Sequence, residues 1–343
     1  MENLRVNNKK EDIENKRRRV VVITGASAGL GRAVVREFAR KNADIALIAR
    51  GIEGLEGAKA EVERAGGRAL IFPIDVANAE AVEDAAAEIE QKLGPIDVWV
   101  NNAMNSVFSP VKEMTADDYK RVTDVTYLGQ VYGALSALKR MLPRNRGTIV
   151  FVGSALAYRG IPLQSAYCGA KHAIEGFFDS LRTELMHDDS KVGISMVQLP
   201  AMNTTQFKFV KTRLPFKPRP MGTIYQPEVA AEVIEYASRN PRREFYVGWP
   251  TVKAIVGNKI APWYADWVLS RNGYEGQMTK EPEDPNRKNN LWEPLPGDHG
   301  AHGNFESQSK DFSVVSWASL HKGAVAASLL FFAGALFLVN RSL

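Results

Sequence analysis

VVVITGASAGLGRAVVREFARK, residues 20 to 41, opens on four β-branched apolar residues, breaks on three glycines within seven positions, and resumes with apolar residues at helical spacing. The reading is strand, tight turn, helix. The same alternation continues. "DIALIAR" (44–50), "RALIFPID" (68–75) and "IDVWVNNA" (96–103) read as buried strands, separated by helices over 53–66 and 78–93. A long helical stretch over 117–142 leads to the strand "GTIVFVGS" (147–154), and a further helix follows it. The strand "VGISMVQL" (192–199), a helix over 227–240 and a strand over 244–248 complete the series. Short apolar strands alternating with helices predict an α/β protein, a Rossmann-like doubly wound parallel sheet with helices on both faces. Ligands in such sheets bind at the carboxyl ends of the strands.

The chain has 343 residues, 45% of them hydrophobic, enough for one large core. Its 44 Lys and Arg against 39 Asp and Glu leave a net charge of +5, and aromatic residues are not interleaved with basic runs, so no nucleic-acid partner is expected. The single cysteine, Cys168, rules out an internal disulfide and suits a reducing compartment. Residues 1–17 are polar and mixed in charge, so no export signal is expected there. We expect an NADP-binding domain over 18–250, a C-terminal extension with a proline-rich strap over 251–316, and an apolar membrane-anchor candidate over 317–343. Within the last, residues 323–339 have no charge, and a C-terminal apolar helix is expected there, with the catalytic domain on the cytoplasmic side. Residues 200–226 are too long for an ordinary connection and hold five basic residues between 208 and 219, which reads as a lid or as a solvated loop. Residues 280–316 read as an extended strap between the domain and the apolar tail. Its His299 and His302 lack a partner pair, so no metal is expected.

The glycines Gly25, Gly29 and Gly31 sit where a backbone must turn tightly and approach a pyrophosphate at a helix amino terminus. Far along the chain, Ser154 ends a strand, Tyr167 follows thirteen positions later and Lys171 four beyond that. Residues four apart on a helix share a face, so Tyr167 and Lys171 can converge on one ligand.

Together these residues make the chain resemble a classical short-chain dehydrogenase/reductase (SDR). The pattern T-G-x-x-x-G-x-G is met by Thr24 to Gly31, the aspartate after the third strand by Asp75 before Val76, and N-N-A-G by Asn101 to Met104. Ser154, Tyr167 and Lys171 match the Ser with Y-x-x-x-K, and the likeness covers roughly residues 18 to 250. The glycine spacing separates it from the extended branch, where T-G-x-x-G-x-x-G is expected. What the resemblance implies is an oxidoreductase that transfers hydride between a nicotinamide cofactor and a carbonyl or alcohol, with catalytic Ser154, Tyr167 and Lys171. Cofactor contacts are implied from Gly25, Ser27, Gly29, Leu30, Gly31, Arg50, Asp75, Val76, Asn102, Tyr167, Lys171 and Thr204. The second strand ends on Ala49 and Arg50 with no carboxylate, and an arginine there accommodates a 2′-phosphate, so NADP(H) is expected over NAD(H).

In the implied chemistry a phenol of pKa about 10 is poorly matched to neutral pH. The Lys171 ammonium would favour the phenolate of Tyr167, and Ser154 would hydrogen-bond the substrate oxygen. By resemblance a fourth catalytic residue, an asparagine, belongs where this chain has Thr126. Met104 and Ala201 stand where the family has glycines. The alternative function is a low-turnover NADP-binding sensor or membrane-associated scaffold. The substrate is expected to be a small-molecule carbonyl or alcohol, lipophilic or amphipathic, and the protein a homo-oligomer.

Overall fold

The computed structural model describes residues 17–323 and 325. Its first unit is strand β1 (Val20–Thr24), helix α1 (Gly29–Arg40) and strand β2 (Asp44–Ala49), followed by α2 (Ile52–Arg64) and β3 (Ala69–Pro73). Helix α3 (Ala79–Leu93) leads to β4 (Ile96–Asn101). The long helix runs as α4 (Ala116–Val122), a π-helical stretch (Thr123–Leu128) and α5 (Gly129–Met141). Then come β5 (Thr148–Val152), α6 (Ser165–His187), β6 (Gly193–Gln198), α7 (Pro227–Arg239) and β7 (Glu244–Tyr246). Two further helices, α8 (Gly248–Ile260) and α9 (Pro262–Asn272), lie beyond the sheet, and α10 (Val314–Leu320) closes the described chain.

The seven strands form one parallel sheet in the order β7-β6-β5-β4-β1-β2-β3. The order reverses between β1 and β4: Ile23 is level with Leu47 on one side and Val100 on the other. Connections leave this point in opposite directions and open a crevice at the strand ends, where ligands bind in such folds. Alternation along β1 sorts its residues onto two cores. Val21 and Ile23 pack with Val34 and Phe38 of α1 and with Val233 and Ile234 of α7. Val20 and Val22 pack with Ile89 of α3, Met141 of α5 and Phe178 of α6. Both faces are dry, which is why the strands read as apolar runs instead of alternating.

The basic residues between 208 and 219 are not a free patch. Lys211 and Arg213 both meet the buried carboxylate of Asp118, at 2.8 and 2.6 Å, and Lys217 meets Glu281 at 2.8 Å. Asp118, the third residue of α4, also closes a capping box with Thr115, and the two cations hold its carboxyl at about 2. The segment 200–226 is thereby fastened to α4.

The strap over 280–316 does not stand away from the domain. Met278–Pro282 pairs antiparallel with Phe216–Pro218, and Ser309–Lys310 pairs parallel with Ile224–Tyr225. Between these anchors the chain doubles back over the carboxyl edge of the sheet. Among the described residues no helix is long and apolar enough to cross a membrane. The apolar helix expected over 323–339 lies outside the described residues apart from 323 and 325.

Candidate functional site

The first turn is built around space that only glycine leaves. Gly25 and Gly29 adopt φ of +69° and +57°, a region L-residues with a Cβ rarely visit. A Cβ on Gly31 would stand 2.0 Å from the Gly25 carbonyl oxygen, so the start of α1 lies directly on the turn. Thr24 locks the turn to the neighbouring strand: its Oγ1 accepts from the amides of Asn102 and Ala103 at 2.9 and 3.0 Å. The Asn102 side chain returns a bond from Nδ2 to the Thr24 carbonyl at 2.9 Å. Asn102 therefore braces the glycine turn while its side also lines the cavity. The amino end of α1 carries no acidic residue in its first turn and no side-chain cap, which leaves its dipole and the amides beyond Gly29 suited to an anion.

Ser154, Tyr167 and Lys171 come together on the opposite wall of that cavity. Ser154 follows β5; its amide donates to Gln198 Oε1 at 2.7 Å and its Oγ accepts from the Leu156 amide at 3.1 Å. Tyr167 and Lys171 share one face of α6, with the ammonium 5.5 Å from the centre of the phenol ring. Lys171 is almost wholly buried; its Nζ donates to the Val152 carbonyl at 2.6 Å. Burial brings its pKa down to about 7. Burial also pushes the Tyr167 phenol up from its ordinary value, opposed by a hydrogen bond from Ser154. Desolvation outweighs that bond, so in the protein alone the phenol sits above its ordinary range.

Folded Lys171 thus binds its proton less tightly than an unfolded lysine does. The unfolded chain carries more protons between about 7 and 10.5, so this group makes the fold more stable as pH rises through that window. Lys171→Met is expected to flatten that part of the curve, measured by denaturant unfolding from neutral to alkaline pH; an unchanged slope would contradict the assignment.

Thr126 is the expected site residue that does not face the cavity. It is fully buried in the π-helical stretch. Its Oγ1 donates to the Asn105 carbonyl at 2.9 Å and accepts from the Asn105 amide at 3.0 Å. The hydroxyl ties the loop after β4 to the long helix, and its bonds run to Asn105 instead of Lys171. Thr126→Val keeps the shape and leaves both Asn105 groups unpaired, an expected loss of about 1–3 kcal/mol in unfolding free energy. Thr126→Ser should recover most of it.

A cavity of about 440 Å³ joins the two walls, and every expected cofactor residue from Gly25 to Thr204 lines it, as do Met104 and Ala201. The model for the short chain dehydrogenase family matches residues 19–214. An uncharacterised oxidoreductase of Bacillus subtilis, YxnA, is 30% identical over 320 residues, covering 92% of this chain and 90% of that protein. The chain belongs to the short-chain dehydrogenase family. A fatty acyl-CoA reductase of Acinetobacter baylyi is 31% identical over 239 residues, 67% of this chain and 76% of its own length. Among solved structures, an alcohol dehydrogenase from the archaeon Thermococcus sibiricus, complexed with 5-hydroxy-NADP, superposes with a TM-score of 0.57. It is 26% identical and covers 66% of this chain and 95% of its own.

The strap is where this short-chain dehydrogenase departs from what its sequence announces. Arg50 donates to the carbonyls of Asn290 and Trp292, both at 2.5 Å, and lies 3.4 Å from that of Leu291. Both terminal nitrogens of the arginine expected to meet a 2′-phosphate are therefore already held by main-chain oxygens. Arg121 bridges Asp75 and the Leu291 carbonyl, and its guanidinium lies 5.4 Å from the Trp292 ring centre. Farther along, Asp298 takes two bonds from Arg32 at 2.9 and 3.1 Å, and the Gly300 carbonyl accepts from the Gly29 amide at 2.9 Å. The strap thus roofs the half of the cavity between β2 and the glycine turn. Arg32 was missed in the sequence because its partners Glu61 and Asp298 lie 29 and 266 residues away. The alignment with YxnA is longer than residues 19–214 can hold, so the likeness extends past the family match.

Proposed function

We propose that the protein is an oxidoreductase using a nicotinamide cofactor, NADP(H) in preference to NAD(H), on a lipophilic carbonyl or alcohol. The observation that carries this is one cavity with a glycine-built anion cradle at one end and the hydroxyls of Ser154 and Tyr167 beside Lys171 at the other. The cradle fits a dinucleotide because the bare Cα atoms of Gly25 and Gly31 let the turn, the start of α1 and residues 102–103 close on one another, which sets the tight turn at the helix amino terminus that a pyrophosphate uses. Gly25, Ser27, Gly29, Leu30 and Gly31 would hold the phosphates, Asp75 and Val76 the base, and Asn102, Lys171 and Thr204 the remaining sugar and nicotinamide. The cofactor, when bound, supplies or accepts the hydride. Tyr167 gives its phenolic proton to the carbonyl oxygen in reduction and recovers it in oxidation. Ser154 donates a hydrogen bond to the same oxygen as charge develops there. Lys171 favours the phenolate when protonated and orients a ribose through its donors. Leu156, Ile161, Phe207, Val210 and Met221 give the substrate end an apolar wall, and the relative named fatty acyl-CoA reductase acts in the same sense.

A panel of aldehydes and ketones of increasing chain length, followed by NADPH absorbance, tests the reading. Turnover that rises with chain length supports it. Cofactor binding with no turnover on any member would favour the sensor or scaffold alternative.

Cofactor choice rests on Arg50, whose guanidinium must share itself between a phosphate and the strap carbonyls. We expect NADPH to bind more tightly than NADH in titrations, and Arg50→Asp to reverse the order. Loss of a charge-assisted pair and gain of a repelling carboxylate should lower NADPH affinity at least about tenfold. Equal affinity in the unchanged protein would sink the preference.

A further inference from the structure

Helices α8 and α9 present surfaces with no use in the fold. On α8, Thr251 and Ile255 are buried and Pro250 and Ala254 line the cavity, while Trp249, Val256 and Ile260 point outward at 62%, 48% and 77% exposure. Positions 249, 253, 256 and 260 follow one helical face. Helix α9 buries none of its eleven residues. Its Trp263, Tyr264 and Trp267 are more than half exposed, and the last two stack at 5.9 Å. Single exposed apolar side chains are ordinary, but six large ones on adjoining helices mark an interaction site.

The chemistry of the face names the partner. Between 248 and 272 the cations are Lys253, Lys259 and Arg271, and the one acid, Asp266, is bound by Arg159. Arg271 lies 4.7 Å from the Trp267 ring centre. Tryptophan and tyrosine have an apolar body and a polar edge, and with flanking cations they match the headgroup level of a bilayer. A second copy of the chain fits less well: between 248 and 272 the face offers three cations and one acid that is already paired with Arg159, so a twofold contact between these helices would bring together surfaces of like charge. Helix α10 lies against α8, where Ser316 Oγ accepts from the Gly248 amide at 3.4 Å. Its Val314 and Trp317 are exposed, and the sequence runs on from it into the seventeen uncharged residues 323–339.

We propose that the outer face of α8 and α9 docks on the headgroup layer of an anionic lipid bilayer. Pro250 and Ala254 then bring a wall of the cavity to the membrane side. The docking stands apart from the reaction; only the passage of a lipophilic substrate past that wall rests on the oxidoreductase reading.

The test uses the full chain. Its single cysteine, Cys168, is buried, so an environment-sensitive fluorophore attaches selectively to Ile260→Cys, and in a control to Gln91→Cys on α3. On phosphatidylcholine vesicles containing phosphatidylglycerol, the label at 260 should shift to the blue and be quenched by brominated acyl chains, while the label at 91 stays unchanged. Lys253→Gln with Lys259→Gln should raise the lipid needed for half the response about thirtyfold. Vesicle-bound protein whose label at 260 still reports water would overturn the proposal. So would a shift that grows with protein concentration without vesicles, which would mean a second copy covers the face. No turnover is read, so failure here and failure of the proposed reaction are distinct results.

Discussion

Tyr167→Phe is expected to lower kcat by a factor of about 10² to 10⁴ while NADPH still binds. That range is what a positioned general acid or base supplies. Phenylalanine keeps the ring that packs 5.5 Å from the Lys171 ammonium, so the wall of the cavity keeps its shape. Ser154 loses its phenolic partner but retains the bond from the Leu156 amide. Nothing in the glycine turn touches this hydroxyl, and cofactor affinity should change little. Burial holds the phenol protonated beyond its ordinary range, so in the reducing direction the proton is in place throughout the neutral region. A variant retaining a large fraction of the unchanged rate, with binding measured alongside, would show that the proton comes from elsewhere.

What was legible in the sequence is what local spacing can carry. The alternation of strands and helices follows from apolar period, and a parallel sheet from the rule that short strands joined by helices run parallel, whereas the order of the strands is supplied by the fold. The cradle and the Tyr167–Lys171 face are contained in stretches of eight and five residues, so neighbours in sequence are neighbours in the site. The strap was illegible for the opposite reason. Its contacts join Arg50 to residues 240 to 242 positions away and Arg32 to one 266 positions away. Proline and polar residues over 280–316 do read as irregular backbone, but irregular backbone can lie on a domain as well as leave it. Side-chain identity decided between these only through partners that folding supplies. The sequence shows Arg50 at the end of β2, but not the carbonyls of Asn290 and Trp292 that hold its guanidinium. The basic loop shows the same limit: Lys211 and Arg213 look like surface cations until Asp118 is brought beneath them, while the Lys217–Glu281 pair stays at the surface. For Thr126 the sequence showed the position, while the bond to Asn105 required the backbone of the loop after β4.

Gly31→Ala should weaken cofactor binding more than any charge removal at the site. The added Cβ would stand 2.0 Å from the Gly25 carbonyl oxygen, 2.7 Å from the Gly25 carbonyl carbon and 2.7 Å from Asn102 Nδ2. Two of those atoms are backbone and cannot swing aside. The third belongs to the side chain that braces the turn to β4. Relief requires the turn to move off α1, which withdraws the amides that would face a pyrophosphate. Gly31 lacks a positive φ, so alanine has no conformational objection and the effect is one of space alone. Overpacking of this kind costs about 1–3 kcal/mol of stability, and the displaced cradle should weaken NADPH binding on the order of 100-fold. Gly66→Ala supplies the contrast. Gly66 sits at φ +83° after α2 with open space where its Cβ would go. Alanine there should cost about 1–2 kcal/mol through backbone strain, with cofactor affinity unchanged. Denaturant unfolding and NADPH titration on the two variants separate the causes. Comparable stability losses with binding lost only in Gly31→Ala would tie the cradle to the cofactor, and intact binding in Gly31→Ala would show that the cofactor does not lie on this turn.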